Sequence, residues 1–324
     1  MFAAPGSARG PLLMGVVNVT PDSFSDGGRY ADPDRAILHA HRLLDDGADL
    51  LDVGGESTRP GATRPVLAEE LDRVLPVIEA LVTAGAQVSV DTMRAQVAAR
   101  AIEAGACVVN DVSGGLADPE ILEVVAGTDV TYVAMHWRAH SDRMQQFTDY
   151  QPHGVVAGVR AELAARVEAI TAAGVAPEQI VLDPGLGFAK KPHHNWELLT
   201  HLAQLATLGH PLLIGASRKT FLGRLLAAAD GAGGPAGDPG GVRALRPVDQ
   251  REEAGVAVST LLAAGLGGAP VACLRVHDVR AHHDALAVAA QWGYAADRAT
   301  ASPGVEEVGQ REPRDGRTEE KSQR

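Results

Sequence analysis

Cysteine is scarce: 324 residues contain two, Cys107 and Cys273, each inside an apolar run (GACVVND and VACLRV). That count argues against a disulfide framework or a cysteine metal site and suits buried thiols in a reducing compartment. Positive charge is also short, with 29 Lys and Arg against 41 Asp and Glu and a formal net charge of -12. A general nucleic-acid binder needs a basic face for phosphates, so any anion held here must be gripped locally. No stretch is long and apolar enough to cross a bilayer, and the opening MFAAPGSARG has no apolar core of signal-peptide length. The expectation is a cytoplasmic protein that engages neither membrane nor nucleic acid.

What is present is a rhythm. Eight short aliphatic runs recur: LLMGVVNV, ADLLDVGG, QVSVD, ACVVND, VTYVAMH, QIVLDPG, PLLIGAS and APVACLRVHD. Between most of them lie segments with apolar residues at helical spacing, such as AEELDRVLPVIEALVTAG. Continuous rather than alternating apolar runs point to strands covered on both faces, as in a parallel sheet wrapped by helices. Eight such units predict one α/β domain, a single (β/α)8 barrel. A doubly wound open sheet would carry a Gly-x-Gly-x-x-Gly turn after its first strand, where this chain has TPDSFSDGG.

The barrel is expected over 12–296, after a flexible start at 1–11. A Gly- and Pro-rich insertion at 230–246 is read as falling between the seventh strand and its helix, and a polar tail at 297–324 is read as disordered.

The residues that end each run carry the chemistry. In order they are Asn18; Asp52 with Gly54, Gly55 and Glu56; Asp91; Asn110 with Asp111; Met135 with His136; Asp183; Ser217 to Lys219; and Arg275 with His277 and Asp278. A barrel gathers the carboxyl ends of its strands on one face, so these groups are expected to converge there. At any one position the same residue types also serve to cap the following helix.

Asp91, Asn110 and Asp183 offer acceptors and an amide suited to a flat heterocycle with an amidine-like edge, and Lys219 can donate to a ring carbonyl. A divalent metal held by paired carboxylates is the competing reading of these acids, though no His-rich ligand spacing accompanies them. Arg59, Arg275 and His277, with Asn18, remain to bind an anion accompanied by Mg²⁺. Two long loops, TPDSFSDGGRY and GGESTRPGATRP, place Phe24 and Arg59 at their centres and are expected to close as lids.

Taken together, MGVVNVTPDSFSDGG, DVGGESTRPGA, SVDTMRA, VVNDVSGG, LDPGLGFAK, GASRKTFLG and RVHDVR resemble, in order and over residues 12 to about 292, the dihydropteroate synthase family of folate biosynthesis. The resemblance implies a Mg²⁺-dependent transferase that joins para-aminobenzoate to hydroxymethyl-dihydropterin pyrophosphate, acts as a homodimer and is a sulfonamide target. It implies a pterin site of Asp91, Asn110, Met135, Asp183 and Lys219, and a pyrophosphate site of Asn18, Thr58, Arg59, Arg275 and His277, with Asn18 the metal ligand. The aminobenzoate would sit by Phe24, Thr58, Pro60, Phe188 and Ser217, and Asp91, Asp26 and Lys219 would be catalytic. Arg218 is expected to support its loop.

Two features depart from the family's commoner pattern: the segment Met135, His136, Trp137, Arg138 and the long Gly-rich insertion. The alternatives are a corrinoid methyl-transfer module on a similar barrel, a non-catalytic pterin binder, and an aldolase that uses Lys219 as a Schiff-base nucleophile. The first lacks a counterpart to the two loops, and the second has no need of STRPG.

Overall fold

The computed structural model describes residues 2, 10–20, 33–56, 64–140, 142–231 and 245–300, with side chains to 293. Eight strands carry the expected runs: β1 (Leu12–Asn18), β2 (Leu50–Gly54), β3 (Val88–Asp91), β4 (Val108–Asp111), β5 (Thr131–Met135), β6 (Ile180–Asp183), β7 (Leu213–Ile214) and β8 (Cys273–Val276). Around them lie α1 (Pro33–Asp45), α2 (Leu67–Thr83), α3 (Ala95–Glu103), α4 (Glu120–Ala126), α5 (Val155–Ala172), α6 (Pro192–Thr200), α7 (Leu202–Ala206), α8 (Thr220–Ala229), α9 (Glu252–Ala263) and α10 (Val279–Thr300).

All strand pairs are parallel, in the order β6-β5-β4-β3-β2-β1-β8-β7. A further parallel bridge, Leu182 to Leu212, joins the two ends of that order and closes the sheet into a barrel. The Leu182 amide donates to the Pro211 carbonyl at 2.9 Å across the same seam. The fold is a (β/α)8 barrel.

Side-chain alternation along each strand explains the two cores. One set of positions, with Leu13, Leu51, Val53, Val90 and Val109, packs outward with Val74, Ile78 and Leu81 of α2 and their counterparts on other helices. The other set points inward. Met14, Leu50, Val108, Val133, Val181, Leu213 and Cys273 form an apolar cluster inside the barrel. Two residues further along the strands from Leu50, Val108, Val133, Val181 and Cys273 stand Asp52, Asn110, Met135, Asp183 and Arg275. The inward alternation therefore turns from apolar to largely polar in a single step, and that step separates a packed floor from a candidate site.

Three sequence expectations need correction. Phe2 packs on the apolar floor, although it falls in the start expected to be flexible, while residues 3–9 lie outside the described residues. Helix α8 follows β7 directly, so the Gly-rich segment comes after that helix and before α9, not between the strand and its helix. Helix α10 extends to Thr300, past the expected boundary at 296. Most of the insertion and residues 301–324 lie outside the described residues.

Candidate active site

At the carboxyl ends of the strands lies a cleft of about 570 Å³. Its walls include Asn18, Asp91, Phe188, Ser217, Lys219, Arg275 and His277, contributed by β1, β3, β8 and the loops after β6, β7 and β8. Asn110, one residue before the end of β4, and Met135 and Asp183, which end β5 and β6, are 4%, 3% and 8% exposed. Strand register sets Asp91 beside Asn110 and Met135 beside Asp183.

The centre of this arrangement is Asp52. Its carboxylate is fully buried and accepts from Ser89 Oγ at 2.6 Å, Asn110 Nδ2 at 3.0 Å and Arg275 Nε at 2.6 Å. Arg275 also donates through Nη2 to Asp91 Oδ2 at 2.8 Å. Burial works against the guanidinium charge, but Asp52 and Asp91 outweigh it and hold Arg275 above its ordinary range. Burial pushes the Asp91 carboxyl up, against the pull of Arg275. Because the Asn110 amide nitrogen is committed to Asp52, its carbonyl oxygen is left to accept from a ligand.

Lys219 stands at the N-cap of α8, with its ammonium 4.3 Å from the centre of the Phe188 ring. Burial lowers it to about 8, while Asp183 favours its charged form. Asp183 is raised by burial, and its Oδ1 accepts from the Gly185 amide at 2.7 Å. Ser217 and His277 meet at 2.9 Å between Oγ and Nδ1, and the Ser217 hydroxyl lies 3.2 Å from Glu252 of α9.

Arg218, which also lines the cleft, has a left-handed backbone (φ 60°). Its Nε donates to Glu252 at 2.7 Å, and its carbonyl accepts from Arg251 at 2.9 Å. Such a conformation in a residue other than glycine is held by its surroundings, here by these two bonds.

The loop after β6 is shaped by glycine. Gly185 has φ +67°, and a Cβ there would sit 2.4 Å from the His136 carbonyl oxygen. Only a residue without a side chain lets the loop cross the end of β5 so closely.

Residues 14–277 match the family of pterin binding enzymes. The dihydropteroate synthase of Mycobacterium leprae is 51% identical over 284 residues, 87% of this chain and 94% of that protein. A solved structure of Xanthomonas albilineans dihydropteroate synthase with 4-aminobenzoic acid is 40% identical, with a TM-score of 0.75 over 91% of this chain and 95% of that one. Another from the same organism, in complex with 7,8-dihydropteroate, is 38% identical, with a TM-score of 0.72 over 92% and 96% of the two chains. This chain belongs to the dihydropteroate synthase family.

For a member of the dihydropteroate synthase family, the positions singled out in the sequence divide into three groups. Asn18, Asp91, Asn110, Met135, Asp183, Phe188, Ser217, Lys219, Arg275 and His277 all lie at the same end of the barrel. Phe24, Asp26, Thr58, Arg59 and Pro60 lie outside the described residues, as do most of the two long loops. Asp111 holds the turn that follows β4, and Asp278 follows the capping alternative. Asp111 accepts from the Ser113 and Gly115 amides and the Tyr132 hydroxyl, and Asp278 accepts from the Ala281 amide in the first turn of α10.

Asp52 is a strand end without an expected role, Lys190 appears only as the last residue of LDPGLGFAK, and Glu252 is not among the expected positions. Asp52 had a findable signal, since it is an acid at an inward position two residues beyond Leu50 of the floor. Lys190 also had one, as a cation ending the apolar LGFA. Glu252 had none, because its partners Ser217 and Arg218 lie 35 and 34 residues away.

Proposed function

We propose that this protein condenses para-aminobenzoate with hydroxymethyl-dihydropterin pyrophosphate to give dihydropteroate and pyrophosphate. The observation that carries the reading is the hydrogen-bonded set of buried Asp52 and Asn110 with partly exposed Asp91 and Arg275, which joins heterocycle acceptors to an anion-binding cation at one end of the barrel. The pterin lies with its donor-rich edge toward Asn110, Asp183 and Asp91, its carbonyl toward Lys219, and Met135 against its face. Arg275, His277 and Asn18, with Thr58 and Arg59, receive the pyrophosphate.

Asn18 ends β1 on the cleft wall and offers one neutral oxygen. Such a donor suits a Mg²⁺ whose remaining ligands are phosphate oxygens and water. When bound, the ion neutralises charge on the leaving pyrophosphate.

The reaction breaks the bond between the pterin methylene carbon and the pyrophosphate oxygen, and both electrons leave with the oxygen. The positive charge left on the methylene is shared with the ring and faces Asp91, with Asp26 on the first loop. The neutral amine of para-aminobenzoate, held by Phe24, Thr58, Pro60, Phe188 and Ser217, forms the new carbon–nitrogen bond and then loses one proton. Position and exclusion of water do most of the work, so no strong base is required.

A homodimer, a cytoplasmic location and sulfonamide sensitivity belong to the same proposal. No helix among the described residues is long and apolar enough to cross a membrane. The test is incubation with isotopically labelled para-aminobenzoate and the pterin pyrophosphate, with mass analysis of the product. Label in dihydropteroate is the expected result; intact substrates after long incubation with Mg²⁺ would reject the reading.

A further inference from the structure

His136 and Arg138 belong to a chain of hydrogen bonds that the reaction scheme leaves unused. Arg138 grips Glu162 of α5 with both Nε and Nη2, and its Nη1 donates to the carbonyls of Phe147 at 2.9 Å and Asp149 at 2.7 Å. Its guanidinium carbon lies 3.8 Å from the centre of the Tyr150 ring. Glu162 Oε2 is 3.0 Å from His136 Nε2, and His136 Nδ1 is 3.0 Å from Lys190 Nζ. Lys190 is 4% exposed, and its Nζ also donates to the Phe188 carbonyl at 3.0 Å.

The chemistry of these groups fixes the direction of each bond. The ionised Glu162 carboxylate only accepts, so the imidazole proton sits on Nε2 and is given to Glu162, and in the neutral ring Nδ1 accepts from Lys190, which burial lowers to about 7. Burial lowers His136 to about 4, which keeps the ring neutral near pH 7 and able to play both parts. The chain therefore runs from Arg138 through Glu162, His136 and Lys190 to the backbone of Phe188. It ends at the cleft, where the Phe188 ring meets the Lys219 ammonium.

The loop that carries Phe188 needs such a hold. Ala189 takes a left-handed backbone (φ 49°), a conformation that persists only when its neighbours impose it. Its carbonyl accepts from the Tyr150 hydroxyl at 3.1 Å, and this is the same Tyr150 that stacks on Arg138. Lys190 and Tyr150 thus fasten successive carbonyls of one strained turn to one network.

We propose that Lys190 is a positioning residue for the aromatic amine: anchored by His136, it sets the Phe188 wall against which that substrate lies. This rests on the reading of the cleft given above, and it adds a role for His136, which lies behind the cleft, and for Lys190, which lines it beside Phe188. A lysine kept only for folding would lower stability without favouring one substrate over the other.

The test compares Lys190→Met, His136→Leu and His136→Asn in steady-state kinetics with each substrate varied in turn. The Asn carbonyl oxygen stands where Nδ1 stands and can still accept from Lys190. Lys190→Met and His136→Leu should raise KM for para-aminobenzoate roughly tenfold, the scale of one lost hydrogen bond; KM for the pterin pyrophosphate should change less than about twofold in His136→Leu, and by less than the amine's KM in Lys190→Met, whose lost charge also acts on Asp183. His136→Asn should stay within about threefold of the parent for both. Equal losses for the two substrates, an unchanged KM, or no difference between Leu and Asn at 136 would overturn the proposal.

If Lys190→Met does not fold, the two His136 variants carry the same comparison. A crystal structure of Lys190→Met, or of His136→Leu in that case, gives a readout that does not need turnover. A displaced Phe188 supports the role and an unmoved one rejects it. Absence of turnover in the unsubstituted protein would instead reject the reading of the cleft, and the crystal structure would still decide what Lys190 does.

Discussion

Replacing Asp52 probes how far the site is prepared before any ligand arrives. Its carboxylate is fully buried and takes three hydrogen bonds, from Ser89, Asn110 and Arg275. In Asp52→Asn the amide oxygen can keep the bonds from Asn110 and Arg275, and its NH₂ can donate to a Ser89 hydroxyl that turns to accept. Only the charge is lost. Removing one partner of a buried ion pair costs about 3–5 kcal/mol, but Asp91 still faces Arg275, so about 2 kcal/mol is expected, near the value of a hydrogen bond to a charged group. Asp52→Ala strands all three donors and should cost about 4 kcal/mol or more. With Arg275 held on one side only, KM for the pterin pyrophosphate should rise about tenfold in Asp52→Asn, equivalent to ~1.4 kcal/mol. Urea denaturation gives the stabilities and steady-state kinetics gives KM. If both variants fall within about 0.5 kcal/mol of the parent, with KM unchanged, Asp52 does not organise this site.

The remaining predictions concern the cation, the lysine and the loop. Asp91→Asn should fold normally and lose at least about a hundredfold in kcat, because it removes a charge that faces the developing cation; near-parent turnover would refute that placement. Lys219 is lowered to about 8 from its usual 10.5, so pterin affinity should fall as pH rises through about 8, and Lys219→Met should lack that inflection in a binding titration. For stability the sign is opposite: between about 8 and 10.5 the unfolded chain holds a proton the folded chain has released, so this residue's contribution grows with pH across that window. Gly185→Ala combines a φ of +67° with a Cβ 2.4 Å from the His136 carbonyl oxygen, and should lower stability by about 3 kcal/mol or displace the loop, as thermal unfolding and a crystal structure would show.

The barrel was legible because each strand is buried on both faces and so reads as an apolar run with a polar residue at its end. The largest exception is β7, only two residues long although its run PLLIGAS is as long as the others. Its run is apolar as far as Ala216, but the chain leaves the ladder at Gly215 and turns at Ala216 toward the left-handed Arg218, which no periodicity foretells. The gathering of Asp91, Asn110, Met135, Asp183 and Arg275 at one end of the barrel was legible for the same reason as the strands, since an inward side chain near a strand end has one place to go.

The connections among those positions were not legible. Asp52 joins β2 to β3, β4 and β8, Glu252 joins α9 to the turn after β7, and Lys190 reaches His136 across 54 residues of sequence. Such contacts depend on the barrel's closure and on the depth of each side chain, which spacing along one chain does not encode. The Gly-rich segment was misplaced by one helix because TFLGRLLAAA runs directly into DGAGG, with no change in apolar pattern between Lys219 and Ala229 to mark where the strand's connection ended.

The central claim is tested most directly by measuring pyrophosphate release from hydroxymethyl-dihydropterin pyrophosphate and Mg²⁺, with and without para-aminobenzoate. Release that depends on the amine, matched mole for mole by dihydropteroate, is the predicted result. Pterin binding without amine-dependent release would contradict it and would leave a pterin-binding barrel without synthase chemistry.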